Sequence, residues 1–231
     1  MTPVRLVLFD IDGTLLLRAT AEHRTALHDA ISDVWGVADP GAAPVQAAGR
    51  TDIDIAREIC LHGGVTAERF DDGVADFRAA AVAAYARRCP DDLSATVSPG
   101  MREVLADLAR RGGHVLALLT GNLEPVARLK MERAGLGAFF PRGLGAFGSD
   151  HEDRSALPAI ARRRAARLIG GNGDHWPREA TVVVGDTPRD IACARADGVG
   201  VVAIATGPFG AERLDGADAV VRSPHELLGV L

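Results

Sequence analysis

The sequence predicts an α/β protein in two parts: a mainly parallel sheet covered by helices, and an all-helical domain inserted near its start. Three observations predict it. Short runs rich in Val, Leu and Phe stop in polar tips at widely separated points, at Val4 to Phe9, Val115 to Leu119 and Thr181 to Val184. From Ser98 onward such runs alternate with helical patterns, which is how βα units read in sequence. Between Thr20 and Cys89 the periodicity is helical with almost no strand signal. A stretch of about seventy residues is enough for a second small domain.

In order, Val4 to Phe9 is the first strand. Helices then follow at Ala21 to Trp35, Asp52 to Leu61 and Ala67 to Arg88, the last with an alanine-rich interior. Pro99-Gly100 punctuates the return, and Gly112-Gly113 closes a helix over Met101 to Arg111. Strand Val115 to Leu119 leads into helix Leu123 to Ala134, for which Asn122 reads as the N-cap. A short strand around Leu144 to Phe147, helix Ser155 to Ile169 and a loop with an exposed tip from Gly170 to Pro177 come next. Strand Thr181 to Val184, helix Ile191 to Ala196 and strands Val201 to Ala205 and Ala219 to Val221 complete the chain. The sheet domain thus comprises residues 1–17 and 97–231, and the helical domain residues 18–96.

Composition narrows the function. With 231 residues, 47% of them hydrophobic, the chain can bury a sizeable core. A net charge of −5 gives no long-range attraction for nucleic acid or an anionic membrane, and Arg162-Arg163-Arg164 reads as a solvated helix face. Cys60, Cys89 and Cys193 are too scattered for a disulfide framework or a zinc site. No apolar run approaches the roughly 20 residues that span a membrane, and the N-terminal run is too short for a signal peptide, so a cytoplasmic location is expected. Lys130 is the only lysine, so arginine must supply most cations; lying mid-helix, Lys130 itself is expected to be solvated.

The chemistry gathers at the polar tips. Asp10-Ile11-Asp12-Gly13-Thr14 follows the first strand directly. While the chain stays extended, residues i and i+2 share a face, so both carboxylates are expected to point the same way. Like charges this close need a cation, which implies a hard metal ion. Gly13 supplies a tight turn. Another strand ends at Asp186-Thr187-Pro188-Arg189-Asp190, and a third at Thr120-Gly121-Asn122, which offers a hydroxyl and backbone N–H groups at a helix start. Together they suit an anion held beside Mg²⁺.

These motifs, in this order, resemble the haloacid dehalogenase superfamily of phosphohydrolases, and within it the phosphoglycolate phosphatase and beta-phosphoglucomutase-like subgroup. The resemblance implies a Rossmann-like core with a helical cap inserted after the first motif, and Mg²⁺-dependent hydrolysis of a small phosphomonoester. By this resemblance Asp10 is the nucleophile and Asp12 the general acid/base. Asp10, the Asp12 carbonyl and Asp186 ligate Mg²⁺, with Asp190 supporting the shell. Thr120, Gly121, Asn122, Gly13 and Thr14 serve the phosphate. The second aspartate favours phosphoryl transfer over carbon–halogen cleavage. The family's third motif usually carries lysine; here Arg154 aligns with it, keeping the charge and adding a planar fork. Gly49-Arg50-Thr51 resembles a substrate-contacting cap loop, with Arg50 toward a polar or anionic part of the substrate. A phosphomutase would share every core motif, a phosphonatase would need a cap lysine that this chain lacks, and a non-catalytic binding protein would be expected to lose Asp10 or Asp186.

Overall fold

A computed structural model describes residues 4–170 and 174–231, so part of the loop expected over Gly170 to Pro177 lies outside the described residues. Strand β1 (Arg5–Phe9) is followed by three helices, α1 (Ala21–Trp35), α2 (Asp52–His62) and α3 (Ala67–Arg88). Then come α4 (Met101–Arg111), β2 (His114–Thr120), α5 (Glu124–Arg133), β3 (Ala146–Phe147) and α6 (Leu157–Ile169). The chain closes with β4 (Thr181–Gly185), α7 (Pro188–Asp197), β5 (Gly200–Ile204), β6 (Ala219–Val221) and the short α8 (Leu227–Val230). The six strands form one sheet in the order β3-β2-β1-β4-β5-β6, and every pairing is parallel.

The order reverses beside β1, so the carboxyl ends of β1, β2 and β4 open onto one crevice, the position where open α/β sheets take their ligands. Residues two apart in the strands face the same layer. Val7, Phe9, Leu118, Val182 and Val184 pack on the side of α4 and α5, in a core continuous with α1 to α3. Leu6, Leu8, Leu119 and Val183 pack against α6 and α7. Because each face is covered, the strands are apolar throughout rather than alternating.

Within the helical segment, α1 and α3 pair around Trp35, which stacks on Phe70 with ring centroids 4.7 Å apart and touches Phe77. Thr51 and Thr66 cap α2 and α3 by accepting from the backbone N–H groups of Asp54 and Arg69. The segment leaves and rejoins the sheet at one place, where Leu17 N–H donates to Thr96, Ser98 N–H donates to Leu15, and Leu16 bridges Val97.

The basic run on α6 departs from expectation. Arg163 is exposed and Arg164 half-buried against Asp150, but Arg162 is buried. Its Nε and Nη2 donate to the Asp197 carboxylate at 2.7 and 2.8 Å, and Nη1 donates to the Trp176 carbonyl at 2.7 Å. The run therefore has one side pinning α6 to α7 and only one residue fully in water. Asp197→Ala should destabilise the protein by about 3–5 kcal/mol, because it strands a buried guanidinium. Arg163→Ala should change stability by no more than about 0.5 kcal/mol. Urea denaturation of the two variants checks this, and equal midpoints would contradict it.

Candidate active site

Strand β1 ends at Phe9, one residue before the first carboxylate. The chain then turns sharply: Gly13 N–H donates to the Leu16 carbonyl, and Gly13 sits at φ 99°, a conformation that favours glycine. Both Asp10 and Asp12 line the same cavity after this turn, but they share no hydrogen-bond partner among the described residues. Asp10 lies toward the loop before α6 and Asp12 toward α5.

Asp10 is buried and accepts a hydrogen bond from Arg154 Nη2 at 2.9 Å. Arg154 stands in a short 3₁₀ turn just before α6 and is itself buried. The same Nη2 reaches Asp190 Oδ1, so one guanidinium nitrogen bridges two carboxylates. The other oxygen of Asp190 accepts from the Thr187 N–H and hydroxyl at 2.9 and 2.7 Å, forming the capping box that starts α7. Asp190 thus orients Arg154 from a fixed helix terminus. These contacts lift the Arg154 guanidinium well above its ordinary value, despite its burial, and keep it charged.

Asp186, at the end of β4, completes the group. One oxygen from each of Asp10, Asp186 and Asp190 lies within 4.8 Å of the others. Thr14, expected at the phosphate, instead donates its hydroxyl to Asp186 Oδ1 at 2.9 Å. Asp186 Oδ2 is buried and has no hydrogen-bond partner among the described residues. Burial, then the neighbouring carboxylates Asp10 and Asp190, push Asp186 up to about 8. Burial, only partly offset by Arg154, pushes Asp10 up to about 7. An orphaned buried oxygen among hard carboxylate donors, with more negative charge than Arg154 can balance, fits a small divalent cation such as Mg²⁺.

Asp12 has a different environment. Lys130, expected to be solvated, is fully buried, and its Nζ donates to both Asp12 oxygens at 2.8 and 2.7 Å. Asn122, expected to cap the following helix, gives its Nδ2 to Asp12 Oδ2 at 3.0 Å instead. Leu123 takes the cap position, and its N–H is satisfied by Asp52 of α2 at 2.8 Å. Burial alone would raise Asp12, but Lys130 and then His23 outweigh it and hold the carboxyl below its usual range.

Lys130, His23 and Asp52 are the functional neighbours that sequence reading misses. Their only signal is that the lone lysine falls on the α5 face carrying Val126 and Ala127 at i−4 and i−3, a pattern of burial that its charge masks.

Thr120 is buried at the end of β2, and with Gly121, Asn122, Asp10, Asp12, Gly13, Arg154 and Asp186 it lines one cavity of roughly 1060 Å³. The cavity continues into the helical segment, where Arg18, Arg24, His28, Leu27 and Ile55 line it. Arg50 also lines it, but its guanidinium is engaged by Asp54 at 2.6 and 2.7 Å and by Glu58, which ties it along α2. The loop carrying Arg50 lies directly on the second motif: Asp52 N–H donates to the Gly121 carbonyl at 2.9 Å, and a Cβ on Gly121 would strike the Arg50 carbonyl.

Residues 7–195 match the family model for haloacid dehalogenase-like hydrolase. The chain is 31% identical over 208 residues to the phosphoglycolate phosphatase of Rhodospirillum rubrum, covering 88% of this chain and 80% of that protein. It is 27% identical over 238 residues to the phosphoglycolate phosphatase of Chromobacterium violaceum, covering 99% and 96%. Among solved structures, CbbY of Rhodobacter sphaeroides in complex with xylulose-1,5-bisphosphate aligns with a TM-score of 0.66 at 20% identity, over 97% of this chain and 96% of that one. The chain belongs to the haloacid dehalogenase-like hydrolase family. Its enzyme class is phosphatase.

The raised carboxyls make a prediction about stability. The folded protein holds protons on Asp10 and Asp186 that the unfolded chain releases near its ordinary value of 3.8, so without metal their contribution to stability falls as pH rises toward about 7 and 8. In chelator, Tm should drop between about pH 5.5 and pH 8, and the drop should shrink in Asp186→Asn. Added Mg²⁺ should raise Tm more at the higher pH, since bound carboxylates must be deprotonated. A chelator-treated protein whose Tm is insensitive to Asp186→Asn across this range would contradict it.

Proposed function

We propose that this phosphatase hydrolyses a small phosphomonoester through an aspartyl-phosphate on Asp10, with Mg²⁺ as cofactor. The observation that carries the reading is the buried Asp10, bonded to Arg154 and facing the orphaned oxygen of Asp186, at the head of a cavity large enough for a small metabolite. Asp10, Asp186 and the main-chain carbonyl of Asp12 would hold Mg²⁺, with Asp190 behind them. Bound there, Mg²⁺ supplies the positive charge that lets Asp10 and Asp186 ionise together and offsets charge on the phosphoryl oxygens.

The ionised Asp10 carboxylate attacks phosphorus, forming the Asp10 O–P bond as the bond from phosphorus to the leaving oxygen breaks. Asp12, held as a carboxylate by Lys130 in the free protein, takes up a proton from the bound phosphomonoester monoanion and passes it to that leaving oxygen. In the second step Asp12, now a carboxylate, takes a proton from the water that attacks phosphorus, releasing inorganic phosphate and restoring Asp10. Arg154 orients Asp10 and donates to the phosphoryl oxygens. The Thr120 hydroxyl and the N–H groups of Gly121 and Asn122 cradle the remaining oxygens, beside Gly13 and Thr14.

The names of the Rhodospirillum and Chromobacterium relatives make 2-phosphoglycolate the first substrate to test. The basic and apolar lining contributed by the helical segment, the proposed cap of residues 18–96, leaves room for a larger phosphorylated metabolite such as a sugar phosphate. Arg50 would reach such a substrate only by leaving Asp54 and Glu58. Among the described residues no helix is long and apolar enough to cross a membrane. We place the reaction in the cytoplasm, in keeping with three free cysteines.

Phosphate release from a panel containing 2-phosphoglycolate and sugar phosphates, with EDTA and then with Mg²⁺ or Ca²⁺, tests the reading. Turnover should vanish in EDTA, return with Mg²⁺ and return much less with Ca²⁺, whose looser shell misplaces the nucleophile. Undiminished turnover after exhaustive chelation would rule out the metal-dependent mechanism, and conversion of a sugar phosphate to its isomer without phosphate release would point to a mutase. Asp10→Asn should remove nearly all turnover while the protein stays folded. Arg154→Ala should cost on the order of 10²–10³ in kcat, and Arg154→Lys should recover part of it. Substantial activity in Asp10→Asn would overturn the assignment of the nucleophile.

A further inference from the structure

We propose that Lys130 is a positioning residue that fixes the orientation of Asp12, and that His23 and Asp52 tie this orientation to the packing of the helical segment on the core. The proposal rests on the reading of Asp12 as the proton donor to the leaving group.

Lys130 has three donors and three acceptors around it. Two are the oxygens of Asp12, and the third is His23 Nδ1 at 3.3 Å. The ring of Tyr85, from α3, covers the ammonium at 5.9 Å. A fully buried ammonium persists only when paired, so Asp12 has one well-defined place to be while Lys130 is charged. A compact ammonium matches three convergent acceptors, where the flat fork of arginine would leave donors unmet. This is a physical reason for the chain's single lysine to stand here.

Asp12 also accepts from Asn122, so its carboxylate is held by three hydrogen bonds from two donor groups, one on α5 and one in the loop after β2. Among the described residues, Lys130 has no polar contact with Asp10, Asp186 or Asp190. It therefore acts through Asp12 rather than on the phosphoryl group.

The link to the helical segment is continuous. His23 of α1 receives Lys130 on Nδ1, and its Nε2 meets Asp52 Oδ2 at 3.1 Å. The same Asp52 oxygen accepts the Leu123 N–H at 2.8 Å, returning the chain of contacts to the start of the Lys130 helix. The circuit runs from core to α1, to α2, and back to core, and every side chain in it except Asp12 is buried. If α1 and α2 shift on the core, Lys130 loses an acceptor and Asp12 loses its fixed setting.

The reaction step affected is proton delivery. As the phosphorus–oxygen bond breaks, Asp12 relays to the leaving oxygen a proton it has taken up from the bound phosphomonoester monoanion; an alkoxide needs that proton, whereas p-nitrophenolate departs without it. A purely structural lysine would lower activity toward every substrate alike, and a mispositioned proton donor penalises poor leaving groups. Steady-state kcat/KM, which reports phosphorylation of Asp10, should be measured for 2-phosphoglycolate and for p-nitrophenyl phosphate. In Lys130→Met, the first should fall by about 10² or more and the second by less than about fivefold. In the Asp12→Asn background, Lys130→Met should bring no further loss. If Lys130→Met does not fold, His23→Gln, which keeps the buried charge pair, should show the same selective loss at smaller size. Equal loss for both substrates, or an added loss in the Asp12→Asn background, overturns the proposal. Wild-type protein that cleaves neither substrate would instead remove the phosphatase reading on which it rests.

Discussion

Three carboxylates, Asp10, Asp186 and Asp190, are buried around one guanidinium, and the surrounding architecture follows from holding that imbalance. Arg154 reaches Asp10 and Asp190 but leaves an Asp186 oxygen without a donor. Folding such a cluster costs free energy, because burial opposes each charge and the charges oppose one another. The fold meets this cost with rigid supports rather than with solvent. Asp190 is locked into the capping box of α7, Asp186 is held by Thr14, and Arg154 is set at the entrance of a helix whose middle is pinned by the buried Arg162–Asp197 pair. On the proposed reading, the residual negative charge would draw a hard cation into the crevice and, with it, a phosphoryl group.

Asp12 obeys the opposite logic only a turn away. It has a full complement of donors, from Lys130 and Asn122, and its carboxyl is lowered where that of Asp10 is raised. Two aspartates two residues apart are thereby given different chemistry by their surroundings: Asp12 is held ionised by Lys130, whereas Asp10 ionises only when a cation offsets Asp186. The divergence comes from the backbone. The strand stops at Phe9, and the turn through Gly13 sends the second carboxylate toward α5.

The strands, the parallel order and the uninterrupted helical stretch after β1 were legible because they rest on local periodicity and on the rules of βα connection. So was the convergence of Asp10, Thr120, Arg154 and Asp186 in one crevice, with Asp190 behind them, since each lies at or beyond the carboxyl end of a strand. What escaped depends on pairing across long sequence distances. Nothing near Lys130 announces that Asp12, more than a hundred positions earlier, will lie against it, and nothing near Arg162 announces Asp197. Asn122 failed as a helix cap for the same reason: the Leu123 and Glu124 N–H groups at the helix start find distant acceptors in Asp52 and Ser149, and Asn122 turns to Asp12. Propensity describes a residue's local options, and tertiary partners choose among them.

The place where the helical segment joins the sheet has a consequence for evolution and for engineering. Its outgoing and returning strands lie side by side, bonded through Leu15, Leu17, Thr96 and Ser98 and bridged at Leu16 and Val97. The chain enters and leaves the segment only through this paired stem; its other ties to the core, at Gly121, Leu123, Lys130 and Glu152, are loop and side-chain contacts. A segment attached in this way can be lengthened, shortened or replaced by an unrelated one whose ends meet at the same spacing, without asking any strand of the sheet to move. The sheet and the helical segment can thus change at different rates, provided the contacts of His23 and Asp52 with Lys130 and Leu123 are kept.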